Sequence, residues 1–459
     1  MTTTHKSRAL KALTVVGVLG FLGACDKYFT GPGIDSNPNS PSAATADQLF
    51  VAVQAFSSAN ITGDQNRAVA MFVRHMAGTG RQWSGIDIYN ITENDFLWDN
   101  YYTGGGLVDI RKLETAVADN KLYLGIAQVW EAFVISQVAD LWGSVPYSEA
   151  IGDIATPKLD NQMDIYASLQ TLLSTAITNI NAGGTGPGAA DLSLGGDKAA
   201  WAQVAHTLKA RLYMHTAEID PTAYAKALTE TASGIASASN DFKTYQSGTT
   251  GEQNQWYQFR LGRGTDISPG SLLVDLMKSR NDPRLEQYFS AGPDAGGDII
   301  GAEPGSEYDG SMAWLSDTRG APDFAQPLIT FAENQMIKAE AEYKTGAAAT
   351  ALQTLNAYRA TVPLPASNLA GTALYTGIME EKYVALFQNV ETWSDWKRTC
   401  YPNIDAADGG SFVFSRFYYP ATERNTNPNI PAPSAAPVRN PNDPKNITST
   451  DGSACKGQG

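Results

Sequence analysis

His206 and His215 come closest to a pair of histidines that could hold a metal or relay a proton. They stand nine positions apart in what reads as one helix, which puts them on opposite faces, so they cannot share an ion. His75 is isolated, and there is no H-E-x-x-H. Each histidine therefore reads as a core or surface residue. No G-x-S-x-G offers a serine nucleophile. Gly184, Gly186 and Ala189 fit a G-x-G-x-x-A turn loosely, but no strand precedes them and no acid follows suitably, so the tract reads as a linker. Asp and Glu total 47, and a glycosidase needs only two of them, yet no spacing nominates a pair. The residues point to no catalytic group, no metal and no cofactor.

The N-terminus carries clearer chemistry. Lys6, Arg8 and Lys11 precede the apolar run "ALTVVGVLGFLG", which is too short for a permanent span, and the run ends in "LGAC" at Cys25. Small residues before such a cysteine resemble a bacterial lipobox, where cleavage frees Cys25 for acylation. Residues 1–24 then form a lipoprotein signal peptide and residues 25–41 a lipidated tether. Residues 42–459 form the body, held to a membrane by lipid rather than spanning it. Loss of three basic residues and no acid moves the formal charge from -14 to -17. So acidic a surface disfavours nucleic acid and anionic lipid. Cys400 and Cys455 can form one disulfide in an oxidising compartment.

The elements that must position any site are helical. "GIAQVWEAFVISQVADLW" places Ile126, Val129, Trp130, Phe133, Val134, Val138 and Leu141 at three- and four-residue spacing. "WAQVAHTLKARLYMHTAEI" repeats the pattern. "LITFAENQMIKAEAEYKTG" predicts a helix closed at Gly346, with "AAATALQTLNAYRA" following at once as its partner. "IMEEKYVALFQNVETWSDWKR" reads as one further amphipathic helix. No alternation of strand and helix appears, so the fold class is mainly α. Long Gly-, Pro- and Asp-rich tracts separate the helices, notably around residues 181–196 and 290–327, and the Asn/Pro-rich tail from Asn425 reads as extended over the surface.

Seven stretches, in order, resemble the SusD/RagB family of nutrient-uptake lipoproteins. "DLWGSVPYSEA" (Asp140 to Ala150) is similar to its signature turn, and "PKLDNQMDIYASLQTLLSTAI" matches the next element at Asp160, Gln162, Ile165 and Tyr166. "WAQVAHTLKARLYMHTA" carries Leu208, Lys209 and Arg211. "NDPRLEQYF", "ITFAENQMIKAEAEYKTG" and "EEKYVALFQNVETWSDWKRTCYP" follow. "RFYYPATERNTN" supplies Arg416, Tyr419, Pro420, Glu423 and Asn425. Cys400 stands where the family usually has glycine. The resemblance implies a single α-helical body with tetratricopeptide-like helix pairs and long irregular ligand-binding loops. It also implies a surface-facing outer-membrane lipoprotein that passes a glycan or peptide to a SusC-type TonB-dependent transporter. Read on residues alone, "DLWGSVPYSEA" is architecture: Gly143 suits a helix end, Pro146 prevents its resumption, and Trp142 and Tyr147 pack the turn.

Sugar CH groups stack on exposed rings, so loop aromatics are the candidate ligand contacts. Trp98 and Tyr101 match structural positions of the family, and Trp130, Trp142, Trp201, Trp393 and Trp396 belong to helices or motifs. Six rings remain: Trp83 and Tyr89 in the Gly-punctuated "GTGRQWSGIDIYN", Trp256 and Tyr257 in a polar stretch, and Tyr308 and Trp314 in the long tract. A surface glycoside hydrolase would share the anchor but turn its glycan over. A purely structural helical-repeat scaffold would share the helices but not need the rings. The anchor gives the first test: Cys25→Ala should abolish palmitate labelling and release the protein from the membrane fraction.

Overall fold

The computed structural model describes residues 44–93, 98–404, 415–436, 440, 442 and 443. Cys25 and Cys455 lie outside them. Cys400 is disulfide-bonded. The chain divides into an N-terminal unit, Met1–Gln48, and a compact unit, Leu49–Gly459, to which everything below refers.

Helices dominate, as the apolar spacing predicts. Lys121–Trp142 starts at Asn120, whose side chain accepts the Tyr123 amide, and Gln162–Ala182 starts at Asn161, which accepts the Met163 amide. Asp197 caps Lys198–Thr216 through the Ala200 amide. Lys121–Trp142 is long and apolar enough to cross a membrane, yet it is buried on nearly all sides as the central helix. Phe331–Lys344 and Ala348–Thr361 form the expected pair, with Gly346 in the turn at φ 91°. They share a core of Met336, Ala339, Ala351, Leu355 and Tyr358 with Leu374 and Ile378 of Gly371–Ala385. Ala210, Met214, Ala227 and Ile337 join this pair to Lys198–Thr216 and Ala223–Thr231.

One expected helix is two. The stretch "IMEEKYVALFQNVETWSDWKR" breaks between Gly371–Ala385 and Glu391–Thr399, with Gln388 left-handed at φ 65°. The freed Gln388 carbonyl is not orphaned: Asn66 Nδ2 donates to it at 3.0 Å and Gln326 Nε2 at 2.6 Å. Hydrogen bonds from distant residues thus offset the lost helical ones.

The signature turn is structural, as its residues indicate. Trp142 is fully buried among Trp98, Tyr101 and Phe417, and its Nε1 donates to the Tyr418 carbonyl at 3.1 Å. Arg416 donates to the Trp142 carbonyl and Tyr419 to that of Ser144. Gly143 sits at φ 86°, and a Cβ there would meet Asn440 Oδ1 at 2.5 Å. Most of the described tail from Asn425 to 436 is exposed, whereas Asn440, Asn442 and Asp443 are buried in the interior.

Charge runs through the core. Arg211 meets Glu333 through two 2.6 Å hydrogen bonds and approaches Glu391 at 3.6 Å. His215 places Nε2 at 2.9 Å from Glu391 and Nδ1 at 3.0 Å from Asp140, which also accepts the Tyr166 hydroxyl at 2.6 Å. Arg398 bridges Glu340 and Asp395, and Lys382 joins them. Burial alone would neutralise His215, but Asp140 and Glu391 outweigh it and lift the imidazolium to about 10 from 6.5. A raised pKa adds stability that is complete below the unfolded value and lost as pH rises through the folded one. Unfolding free energy measured in urea should therefore fall between pH 6.5 and about 10, by up to ~1.4 kcal/mol per pH unit. His215→Gln should lower stability at pH 6 and flatten that slope.

Candidate functional site

Two short ribbons and two short helices gather most of the candidate rings on one face. Met76–Gly78 pairs antiparallel with Ile267–Pro269, and Phe289–Ser290 with Trp314–Leu315. The Arg81–Asp87 helix packs so close to the first ribbon that a Cβ on Gly78 would lie 2.1 Å from the Trp83 carbonyl oxygen. Gln255–Arg263 begins at Asn254, whose side chain accepts the Trp256 amide.

Arg67 organises the interior of this face. Its guanidinium lies 4.7 Å from the Phe259 ring centre, 5.8 Å from Trp83 and 5.9 Å from Trp256. Asp64 pairs with it at 2.5 Å, and it donates to the Gln255 carbonyl. A buried guanidinium surrounded by ring faces gains cation–π attraction where water is excluded. Trp256 donates through Nε1 to Asn66 Oδ1 at 3.0 Å, and Trp83 stands edge-on to Phe259. Trp83 and Trp256 therefore do not lie in loops. Each is on a helix and 2% exposed, which leaves no face for a ligand. Tyr89 is also turned inward: its hydroxyl donates to the Phe72 carbonyl at 3.0 Å, and Arg74 covers its ring at 5.0 Å. All three are buried rather than open: Trp83 and Trp256 sit on short helices that Gly punctuation and polar neighbours hid, drawn in by Arg67 and Asn66, whereas Tyr89 lies in the turn after Arg81–Asp87 and is held by Phe72.

Tyr257, Tyr308 and Trp314 remain partly open to solvent. Tyr308 packs on Ala77, Ala302 and Met312, and its amide donates to the Thr79 carbonyl. Trp314 Nε1 donates to the Tyr308 hydroxyl at 3.0 Å, so each ring fixes the other. Asp87 ties the tract down further: Oδ2 accepts the Gly305 amide at 2.7 Å, while Arg74 holds its other oxygen at 3.3 Å. Arg260 sits 5.7 Å from the centre of Trp314 and donates to the Leu315 carbonyl at 3.0 Å. Phe259 and Arg260 were not among the expected contacts. Their signal was the spacing Trp256, Phe259, Arg260, Arg263, a ring-and-arginine stripe at three- and four-residue intervals.

The rings overlook open space. A cleft of about 810 Å³ is lined by Met76, Ala77, Ser271, Asp275, Ala302 and Glu303, and Met76 also lines a narrow recess between Trp256, Phe259, Arg260 and Trp314. Tyr257 and Arg260 border a second hollow of about 320 Å³. The cleft is of ordinary ligand-site size; its lining residues Ala77 and Ala302 also pack against the Tyr308 ring, and Met76 also lines the recess beside Trp314. Elsewhere, Asp140, His215 and Glu391 bring one ligand atom each within 4.8 Å of the others. Both imidazole nitrogens already face carboxylates, so the arrangement works as a buried ion pair, and an ion would have to displace a ring proton.

Comparison with known proteins gives a consistent picture. A family model described as "SusD-like_2: Starch-binding associating with outer membrane" matches residues 38–420. No curated protein matches the chain. A SusD/RagB family protein from Bacteroides thetaiotaomicron superposes with a TM-score of 0.71 at 20% identity, over 84% of this chain and 95% of its own. A chitin-binding SusD homologue from Flavobacterium johnsoniae gives 0.72 at 18% identity, over 86% and 97%. A SusD homologue from Bacteroides fragilis gives 0.67 at 18%, over 84% and 94%. At these identities the likeness is one of fold.

The division between inward and outward rings can be measured as stability. Trp83→Ala and Trp256→Ala should each lower the unfolding free energy by about 3–5 kcal/mol through cavities in the Arg67 cluster. Trp314→Ala and Tyr257→Ala should cost roughly 1 kcal/mol. Urea denaturation followed by circular dichroism distinguishes the two groups.

Proposed function

We propose that this chain, which belongs to the SusD-like family, holds a glycan against the Tyr308–Trp314 face and delivers it to a SusC-type TonB-dependent transporter in the outer membrane. The observation that carries the reading is the Trp314–Tyr308 pair: two partly open rings locked by a 3.0 Å hydrogen bond, with Arg260 beside them. Rings fixed before binding lose little rotamer freedom on contact, so more of the stacking energy reaches the ligand. Arg260 keeps N–H groups for sugar hydroxyls after its bond to Leu315. Tyr257 extends the surface on one side, and the cleft past Ala302 leaves room for further sugar units on the other.

The family description names starch, and the Flavobacterium johnsoniae neighbour is chitin-binding, so a hexose polymer is the favoured ligand class. Lipid at Cys25 would hold the protein at the surface, and the helical body would serve as a lid whose ring face carries the cargo. Binding without turnover is the expected mode. Asp275 and Glu303 line the cleft, and both are exposed.

In calorimetric titrations with maltooligosaccharides and chitooligosaccharides, Trp314→Ala should weaken the binding of whichever series binds by ~10-fold or more, about 1.4 kcal/mol. The sugar should be recovered at its original length after prolonged incubation. A large outer-membrane barrel should co-purify after mild detergent extraction. Shortened sugar would establish the hydrolase instead.

A further inference from the structure

Beside the open rings lies the narrow recess that shares Met76 with the cleft. Buried Met76, Trp256, Ile267 and Leu315 form its floor, and half-buried Phe259, Arg260 and Trp314 form its rim. It is partly open and has a volume of about 20 Å³. A single water needs at least ~10–15 Å³, so the recess takes one small group and no sugar ring. Trp314 is both a wall of the recess and a ring on which a sugar would stack. A substituent of a sugar seated there is within reach of the opening.

The chemistry of the walls selects that substituent. The Trp256 indole N–H donates to Asn66 Oδ1 at 3.0 Å, and that of Trp314 to the Tyr308 hydroxyl at 3.0 Å. The Leu315 carbonyl already accepts from Arg260 at 3.0 Å. Met76, Phe259, Ile267 and the Leu315 side chain add apolar surface. A hydroxyl placed here would find none of these groups free, and burying it unpaired is unfavourable. A methyl needs no partner and gains by leaving water. At the rim the preference is reversed. Arg260 commits one N–H to Leu315 and stands 3.8 Å from Asp317, a fully exposed carboxylate that holds it weakly. It keeps donors for an oxygen adjoining the methyl.

On the sugar-binding reading of the ring face, we propose that this recess takes the methyl of a 2-acetamido group, so that the ligand is an oligosaccharide of N-acetylated hexosamine units rather than of plain hexoses. The acetamido methyl fills the recess while its carbonyl accepts from Arg260. A 6-deoxy sugar also carries a methyl but brings no carbonyl for Arg260, and an unsubstituted glucan offers only hydroxyls. Met76 and Ile267, buried below the rim, set the largest acyl group admitted.

Titration calorimetry on the full chain tests the assignment with four tetrasaccharides. Chitotetraose is compared with cellotetraose, which has the same β-1,4 backbone but hydroxyls in place of the acetamido groups, with N-butanoylated chitotetraose and with maltotetraose. Chitotetraose should bind ~10-fold or more tighter than cellotetraose, the discrimination typical of one methyl-sized group in an apolar pocket. It should also bind tighter than the butanoyl tetramer, whose longer chain overfills the recess. Ile267→Phe, which fills the recess, should remove most of the preference for chitotetraose, with a thermal melt to establish that the variant is folded. The wild-type comparisons decide the matter even where it is not. Equal binding of chitotetraose and cellotetraose, equal binding of the butanoyl tetramer, tighter binding of maltotetraose, or an undiminished preference in folded Ile267→Phe would each overturn the acetamido assignment. If Trp314→Ala then still weakens whichever tetramer binds, the ring face stands as a glycan site without it. Binding of none of the four overturns both.

Discussion

Arg211 has no exposed surface, and neither do the Glu333 carboxylate it grips nor, to within a percent, Glu391 beside it. His215 extends the chain of charge to Asp140, and Arg398 with Lys382 builds a second cluster on Glu340 and Asp395. These side chains come from Lys121–Trp142, Lys198–Thr216, Phe331–Lys344, Gly371–Ala385 and Glu391–Thr399, so almost every long helix at the centre is pinned by a charge on another. Desolvating so many ions is expensive, and apolar packing of the same volume would be at least as stable. What the ions add is exclusiveness. A helix rotated by one residue would bury an unpaired charge, at a cost of about 3–5 kcal/mol.

That constraint explains how irregular segments are tolerated. Once the helices are fixed, the chain between them can adopt costly geometry wherever side chains from the scaffold meet it. Gln388 stands left-handed between Gly371–Ala385 and Glu391–Thr399 because Asn66 and Gln326 receive its carbonyl. Asn442 donates to the His215 carbonyl, and Asp443 is buried beside the same charges, so the tail is drawn into the network it covers. The short ribbons and helices of the ring face are held in the same way by Arg67, Asn66 and Asp87.

Local order was therefore legible in the sequence and remote order was not. Apolar spacing located Lys121–Trp142 and Lys198–Thr216, Gly346 marked the turn of the helix pair, and the seven ordered stretches carried the family. The split at Gln388 left no local trace, since its compensating bonds come from Asn66 and Gln326, 322 and 62 positions away. Trp83 and Trp256 resembled loop rings because glycine and polar residues surround them, and only Arg67, far from Trp256 in sequence, explains their burial. Tyr308 and Trp314 were legible as partly open rings because their Gly- and Asp-rich tract covers them only in part, through Ala302 and Met312 beneath Tyr308. The charge clusters were invisible for the same reason as the split: Arg211 and Glu333 are unremarkable until folding makes them neighbours.

The short ribbons under the ring face have a consequence for the order of assembly. The Met76–Gly78 ribbon joins residues widely separated in the chain, with Gly78 opposite Ile267, and in a third ribbon, packed on Trp130 and Trp201, Phe242 lies opposite Ile329. Helix pairs close on short loops, whereas these ribbons must close long ones, and the entropy of closure is recovered only after both partners exist. A chain emerging from its N-terminus can build Lys121–Trp142 against Gln162–Ala182 long before Met76–Gly78 has anything to pair with. The ring face is thus a late product of folding, and a chain that stops early has its helices without it.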